Sequence, residues 1–189
     1  MKTLRVAIFI VVALIQLSVP ASVVWKREKT LKHGRVWKFR TAPVDPVDAV
    51  RGRYVALRFA AEEISSDDVA YQKLDFGISA YFVLREDAEG FAKVERISEK
   101  PLNGDNVITG EAGYLSEKTQ HVRFPFDRFW VTEKNAPAAE KAYLENSRRG
   151  KQNAYVTVRV RDGDATIEQL YIDGQPLADY LRANPPQKP

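Results

Sequence analysis

The chain has 189 residues, 44% apolar and 11% aromatic, enough for one domain of ordinary size plus an appendage. It has no cysteine, which excludes disulfides, thiolate metal sites and a cysteine nucleophile. Its formal net charge of +4 is unevenly placed: residues 1–40 hold nine Lys or Arg against Glu28, +8, leaving 20 positive and 24 negative side chains, −4, for the rest. The remainder is thus mildly acidic and has no interleaving of basic and aromatic residues, so no nucleic-acid partner is read from it.

Lys2 and Arg5 precede an unbroken apolar run from Val6 to Ile15, and apolar character continues to Trp25 with Ser18, Pro20 and Ser22 interspersed. Two readings compete for residues 1–25. As a secretory signal, the run fits an h-region, with Val19-Pro20-Ala21 before Ser22 as a cleavage site. As an uncleaved anchor, Val6 to Trp25 is about 20 residues, enough to span ~30 Å of hydrocarbon, with Trp25 at the interface. The length and the interfacial Trp favour the anchor. Residues 26–34 form a basic juxtamembrane linker, with Lys26, Arg27, Lys29 and Lys32 against Glu28. Taken alone, the positive-inside rule would keep this flank in the cytoplasm, in conflict with an exported domain. Such a collar also suits anionic lipid headgroups, at ~1 kcal/mol per cation near the surface.

A single β-rich domain is expected over residues 35–183. Val36–Thr41 alternates as a first strand after Gly34, with Trp37, Phe39 and Thr41 on one face. The segment that follows is the most distinctive in the chain. Pro43 and Pro46 stiffen the approach, and Gly52 can take a positive φ that its neighbours cannot adopt cheaply. From Arg53 to Ala61 the pattern has period two, with Val55, Leu57, Phe59 and Ala61 on one face and Tyr54, Ala56, Arg58 and Ala60 on the other. Asp45 and Asp48 are the polar members suited to accept backbone N–H bonds within the turn.

The eight positions Gly52, Arg53, Tyr54, Val55, Ala56, Leu57, Arg58 and Phe59, led by Pro43-Val44-Asp45-Pro46, resemble the signature of the GDYXXLXY family of membrane-anchored bacterial proteins. Gly52, Tyr54 and Leu57 match, Phe59 stands for a Tyr, and Arg53 reverses the charge of the family's Asp. A guanidinium cannot take over the acid–base role of a carboxylate, so Arg53 argues against catalysis at that position. The resemblance implies an anchor and an extracytoplasmic domain in the inner membrane; it assigns no biochemical role. Asp45, Pro46, Asp48, Arg51, Gly52, Arg53, Tyr54, Leu57 and Phe59 are therefore the motif residues, read first as architecture and second as a partner- or ligand-facing loop.

Residues 62–77 read as a loop with a short helix, on which Glu62-Glu63 and Asp67-Asp68 are adjacent solvated pairs rather than spaced metal ligands. Ala80–Leu84 and Phe91–Ile97 form a hairpin through Arg85–Gly90. Val107–Ala112, His121–Phe124 and Phe126–Val131 are further strands, with Pro125 as a break. Asn135 to Gly150 is the one helix expected, with Asn135 as N-cap and Pro137 in the first turn. Tyr155–Val160 and Ala165–Ile172 form a second hairpin about Asp162-Gly163-Asp164, and residues 184–189 a disordered tail. About eight short strands and one helix predict a mainly β, α+β fold, an antiparallel sandwich or barrel-like sheet with a packed helix.

Assembled chemistry is not legible. His33 lies in the collar, and His121 heads a strand with no nucleophile elbow anywhere; both read as structural or surface residues. No metal or cofactor site is expected. The aromatic cluster Phe124, Phe126, Phe129 and Trp130 reads as core before it reads as an apolar site. The resulting expectation is a non-catalytic accessory domain that binds another envelope protein, a polytopic membrane protein by resemblance alone. The alternative is an envelope hydrolase or ligand-binding protein using Asp45, Asp48 and Arg51.

Overall fold

The computed structural model describes residues 2–43, 54–65, 74–148 and 151–185. Helix α1 (Lys2–His33) runs for 32 residues, through the apolar stretch and on through the basic segment. That segment is rich in good helix formers and adds a Glu28–Lys32 ion pair at 2.9 Å, one turn apart. Lys32 and His33 fall in the last turn, where cations meet the negative end of the helix dipole. By length and composition, Phe9–His33 suffices to cross a membrane, a test that a signal sequence at this position also passes.

The helix ends at Gly34, whose N–H donates to Thr30 O at 2.8 Å. A Cβ here would lie 2.6 Å from Thr30 O and 3.0 Å from Val160 O, both backbone atoms that cannot step aside. Glycine therefore lets α1 turn directly into β1 (Arg35–Arg40). Thr30 is buried, Lys26 Nζ meets an Asp164 carboxylate oxygen at 2.8 Å, and Arg159 donates to Gly34 O. The end of α1 is thereby joined to the domain.

β1 pairs with β9 (Ala154–Arg161), which pairs with β10 (Asp164–Ile172), and β11 (Gln175–Pro176) closes this four-stranded sheet. A five-stranded sheet contains β3 (Glu63–Ser65), β7 (Thr119–Arg123), β6 (Val107–Ser116), β4 (Ser79–Glu86) and β5 (Ala92–Ser98), in that order. A two-stranded ribbon pairs β2 (Tyr54–Ala56) with β8 (Arg128–Trp130). All these ladders are antiparallel, and among the described residues no sheet closes into a barrel. Alternation supplies the core as expected, with Trp37 and Phe39 from β1, Phe82 and Leu84 from β4, and Val156, Val158 and Val160 from β9 in one contiguous cluster. The Asp162-Gly163 turn links the two larger sheets: Thr109 N–H donates to Gly163 O, and Gly163, at φ +86, leaves room for the Thr109 hydroxyl.

Several expectations are corrected. Among the described residues there are three helices: the expected N-terminal α1 and, where one packed helix is expected, two in the domain, α2 (Ala136–Asn146) and α3 (Leu177–Ala183). Asn135 does not cap α2 with its side chain, because its backbone is already helical (φ −94, ψ −11). The motif strand is shorter than Arg53–Ala61: β2 ends at Ala56, Phe59 makes one further bridge to Thr41, and Ala60–Glu62 forms a 3-10 turn. The loop expected from Glu62 opens with β3, while residues 66–73, on which the expected short helix with Asp67 and Asp68 falls, lie outside the described residues.

Candidate functional site

The described part of the motif does two different things with its two faces. On the inner face Val55, Leu57 and Phe59 are buried, Phe59 to 1% exposure. Their backbone is held from both ends. β2 pairs with β8, Leu57 N–H donates to Asp127 O at 2.8 Å, and Ala42 N–H donates to Arg58 O at 2.8 Å. Phe59 packs edge-on to Phe39 at 5.8 Å between centroids and lies 5.2 Å from Phe126, while Phe39 makes edge contacts with Phe124 and Phe126. Such pairs add about 0.5–1.5 kcal/mol each beyond the area they bury.

Glu62 completes this centre. It is only 7% exposed, against the solvated loop position expected from sequence. One carboxylate oxygen accepts the N–H of Phe59 and the other the N–H of Phe124, both at 3.1 Å. Burial pushes its pKa above the usual value, and these two hydrogen bonds and the Arg58 charge only partly offset that. Glu62 thus clasps the end of the motif strand to the end of β7. Spacing gave a signal that sequence reading passed over: an acid three residues after Phe59 can close back on that residue's amide, in the manner of a capping box. Above the clasp, α2 buries Tyr143, whose hydroxyl donates to Ala42 O at 3.2 Å. Burial pushes that phenol's pKa up as well.

The outer face is different. Tyr54 stands opposite Trp130 in the ladder with ring centroids 5.3 Å apart, and the Arg128 guanidinium lies 5.0 Å from the Tyr54 ring centre. Trp130 remains 64% exposed. The aromatic segment expected as core therefore splits: Phe124 and Phe126 are buried, Phe129 is partly buried against the core, and Trp130 faces outward. An exposed tryptophan on a half-buried tyrosine, with an exposed arginine beside them, has the composition that is enriched at the centres of protein–protein contacts.

Of the predicted motif residues, Tyr54, Leu57 and Phe59 are thus placed. Asp45, Pro46, Asp48, Arg51, Gly52 and Arg53 lie outside the described residues. Among the described residues no three His, Cys, Asp or Glu side chains group as a metal ion would require. His121, in the middle of β7 and opposite Glu63 in the β3–β7 ladder, stacks on Tyr114, 4.1 Å between centroids.

Comparison with curated proteins and with solved structures gives no match. The profile of the GDYXXLXY proteins matches residues 16–170, from within α1 through the motif strand to β10. The chain belongs to the GDYXXLXY family.

Proposed function

We propose that this chain is a single-pass, membrane-tethered accessory protein that docks another protein of the bacterial inner membrane through Tyr54, Arg128 and Trp130. Residues 1–25 are its anchor, 26–34 its basic linker and 35–183 its extracytoplasmic domain. The observation that carries the reading is the contrast between the two faces of one short strand. Its inner residues are core, while its outer tyrosine packs edge-on against a tryptophan that stays largely exposed. Exposing a large aromatic costs apolar hydration, and such a patch is the expected anchor of an interface. The union of α1 with β9 and β10 supports the tether, because a domain held at the end of its own span has its orientation to a membrane neighbour fixed.

Among the described residues, no observation favours the hydrolase reading, whose Asp45, Asp48 and Arg51 lie outside them. The test is a photo-cross-linking amino acid at position 130 in native membranes, with position 117 at the β6–β7 tip as control. A polytopic membrane protein is expected at 130, absent at 117 and lost when Tyr54→Ala and Arg128→Ala are combined. Capture of lipid alone at position 130 would reject the docking role.

A further inference from the structure

A cleft of about 720 Å³ lies between the end of the apolar stretch of α1 and the two larger sheets. Its wall carries Val23 and Arg27 from α1, Glu111 from β6, Arg123 from β7 and Asp127 before β8. Lys26 and Asp164 also line it, but they already pair with each other at 2.8 Å. Glu111 and Arg123 stand opposite each other in the β6–β7 ladder, and Asp127 reaches Arg128 at 3.4 Å. One cavity thus offers two guanidinium groups and two carboxylates, which suits a ligand carrying both signs of charge.

The depth of the cleft says what that ligand is. Trp25, 68% exposed, ends the apolar stretch, and Thr30 is buried against the domain. At ~1.5 Å per residue, Thr30 lies roughly 8 Å further along the helix. A headgroup layer is about 5–8 Å thick on each side of the hydrocarbon. With α1 spanning the bilayer, the cleft lies at headgroup level, and Val23 on its wall belongs to the span itself.

We propose that the cleft binds the headgroup of an aminophospholipid, its phosphate held by Arg27 and Arg123 and its primary ammonium by Glu111 and Asp127. Guanidinium forks match phosphate oxygens, and a primary ammonium has three N–H donors for carboxylates. A phosphoglycerol headgroup lacks the cation, and a choline headgroup lacks the N–H donors. The site therefore selects a phosphate headgroup with a primary ammonium, of which phosphatidylethanolamine is the simplest. The proposal rests on the reading of α1 as a membrane span.

The experiment places the full chain in phosphatidylcholine nanodiscs doped with phosphatidylethanolamine or phosphatidylglycerol and counts retained lipids by native mass spectrometry. Soluble glycerophosphoethanolamine is titrated in parallel. Phosphatidylethanolamine is expected to be retained over both other lipids. The combined Arg27→Ala and Arg123→Ala variant is expected to lower that retention by about tenfold or more, since a charge-assisted contact is worth roughly that factor. Combined Glu111→Gln and Asp127→Asn is expected to remove the preference over phosphatidylcholine while retention persists. Both pairs are solvent-facing or half-buried, so an unchanged melting midpoint shows that the variants fold. Equal retention of the three lipids, retention indifferent to the arginines, or soluble headgroup binding as tightly as lipid would each overturn the site. A chain that never enters the disc overturns the tether, and the site with it.

Discussion

Replacing Phe59 with alanine is expected to lower the unfolding free energy by about 3–5 kcal/mol, the range for removing a large aromatic from a packed core. Phe59 is 1% exposed and touches the rings of Phe39, Phe124 and Phe126, so the cavity would open where the two larger sheets and the motif strand meet. Domains of this size are stable by roughly 5–15 kcal/mol, so one such loss can leave the variant partly unfolded at physiological temperature. The adjacent Arg58 is exposed, and Arg58→Ala is expected to change stability by no more than about 0.5 kcal/mol. Urea unfolding of the two variants checks the contrast. Near-equal effects would mean that the strand does not alternate as described.

The second large effect concerns Glu62. A carboxylate can accept from both the Phe59 and Phe124 amides, whereas the amide of Glu62→Gln has one acceptor oxygen and must turn its NH₂ toward the other N–H. One buried donor is left unpaired, at a cost of about 1–3 kcal/mol. That cost should depend on pH. Burial raises the native pKa of Glu62 above 4.5, so in the window just above that value the folded chain holds the proton longer than the unfolded one. Wild-type stability therefore carries a term that falls as pH rises through the window, and the glutamine variant lacks it. The penalty of Glu62→Gln is expected to be largest below pH 4.5 and to shrink as pH rises. Denaturant titrations of both proteins across pH 4–7 measure this directly. A penalty that grew with pH would mean that the two amide bonds outweigh desolvation and hold the pKa down.

Much of the β architecture was legible because period two is a strong signal where one face is buried. Trp37, Phe39 and Thr41, and Val55, Leu57 and Phe59, are buried as their alternation predicts. The hairpins around Gly90 and Gly163 follow the turn residues, and both glycines take positive φ. What failed did so for physical reasons. α3 is seven residues long with one fully buried side chain, Leu177, too short to show a helical period. The bulge on β5, where Val94 and Ile97 are both buried with two exposed residues between, breaks alternation in a way set by its partner strand. Half of the Glu62 environment is local, the bond from Phe59 three residues back, but the other half comes from Phe124, 62 residues away, which no local pattern reports. Trp130 shows the reverse: its composition reads as core, and only the pairing of β8 with β2 turns it outward.

The motif strand is a locked part of the folded core rather than a loop laid on its surface. Native-state hydrogen exchange at Leu57 and Phe59 tests this most directly, since their amides donate to Asp127 O and to the Glu62 carboxylate. Both are expected to exchange only through global unfolding, with the same free energy as Val156 and Val158 at the centre of the four-stranded sheet. Exchange at the pace of the exposed β6–β7 tip around Glu117 would contradict the account.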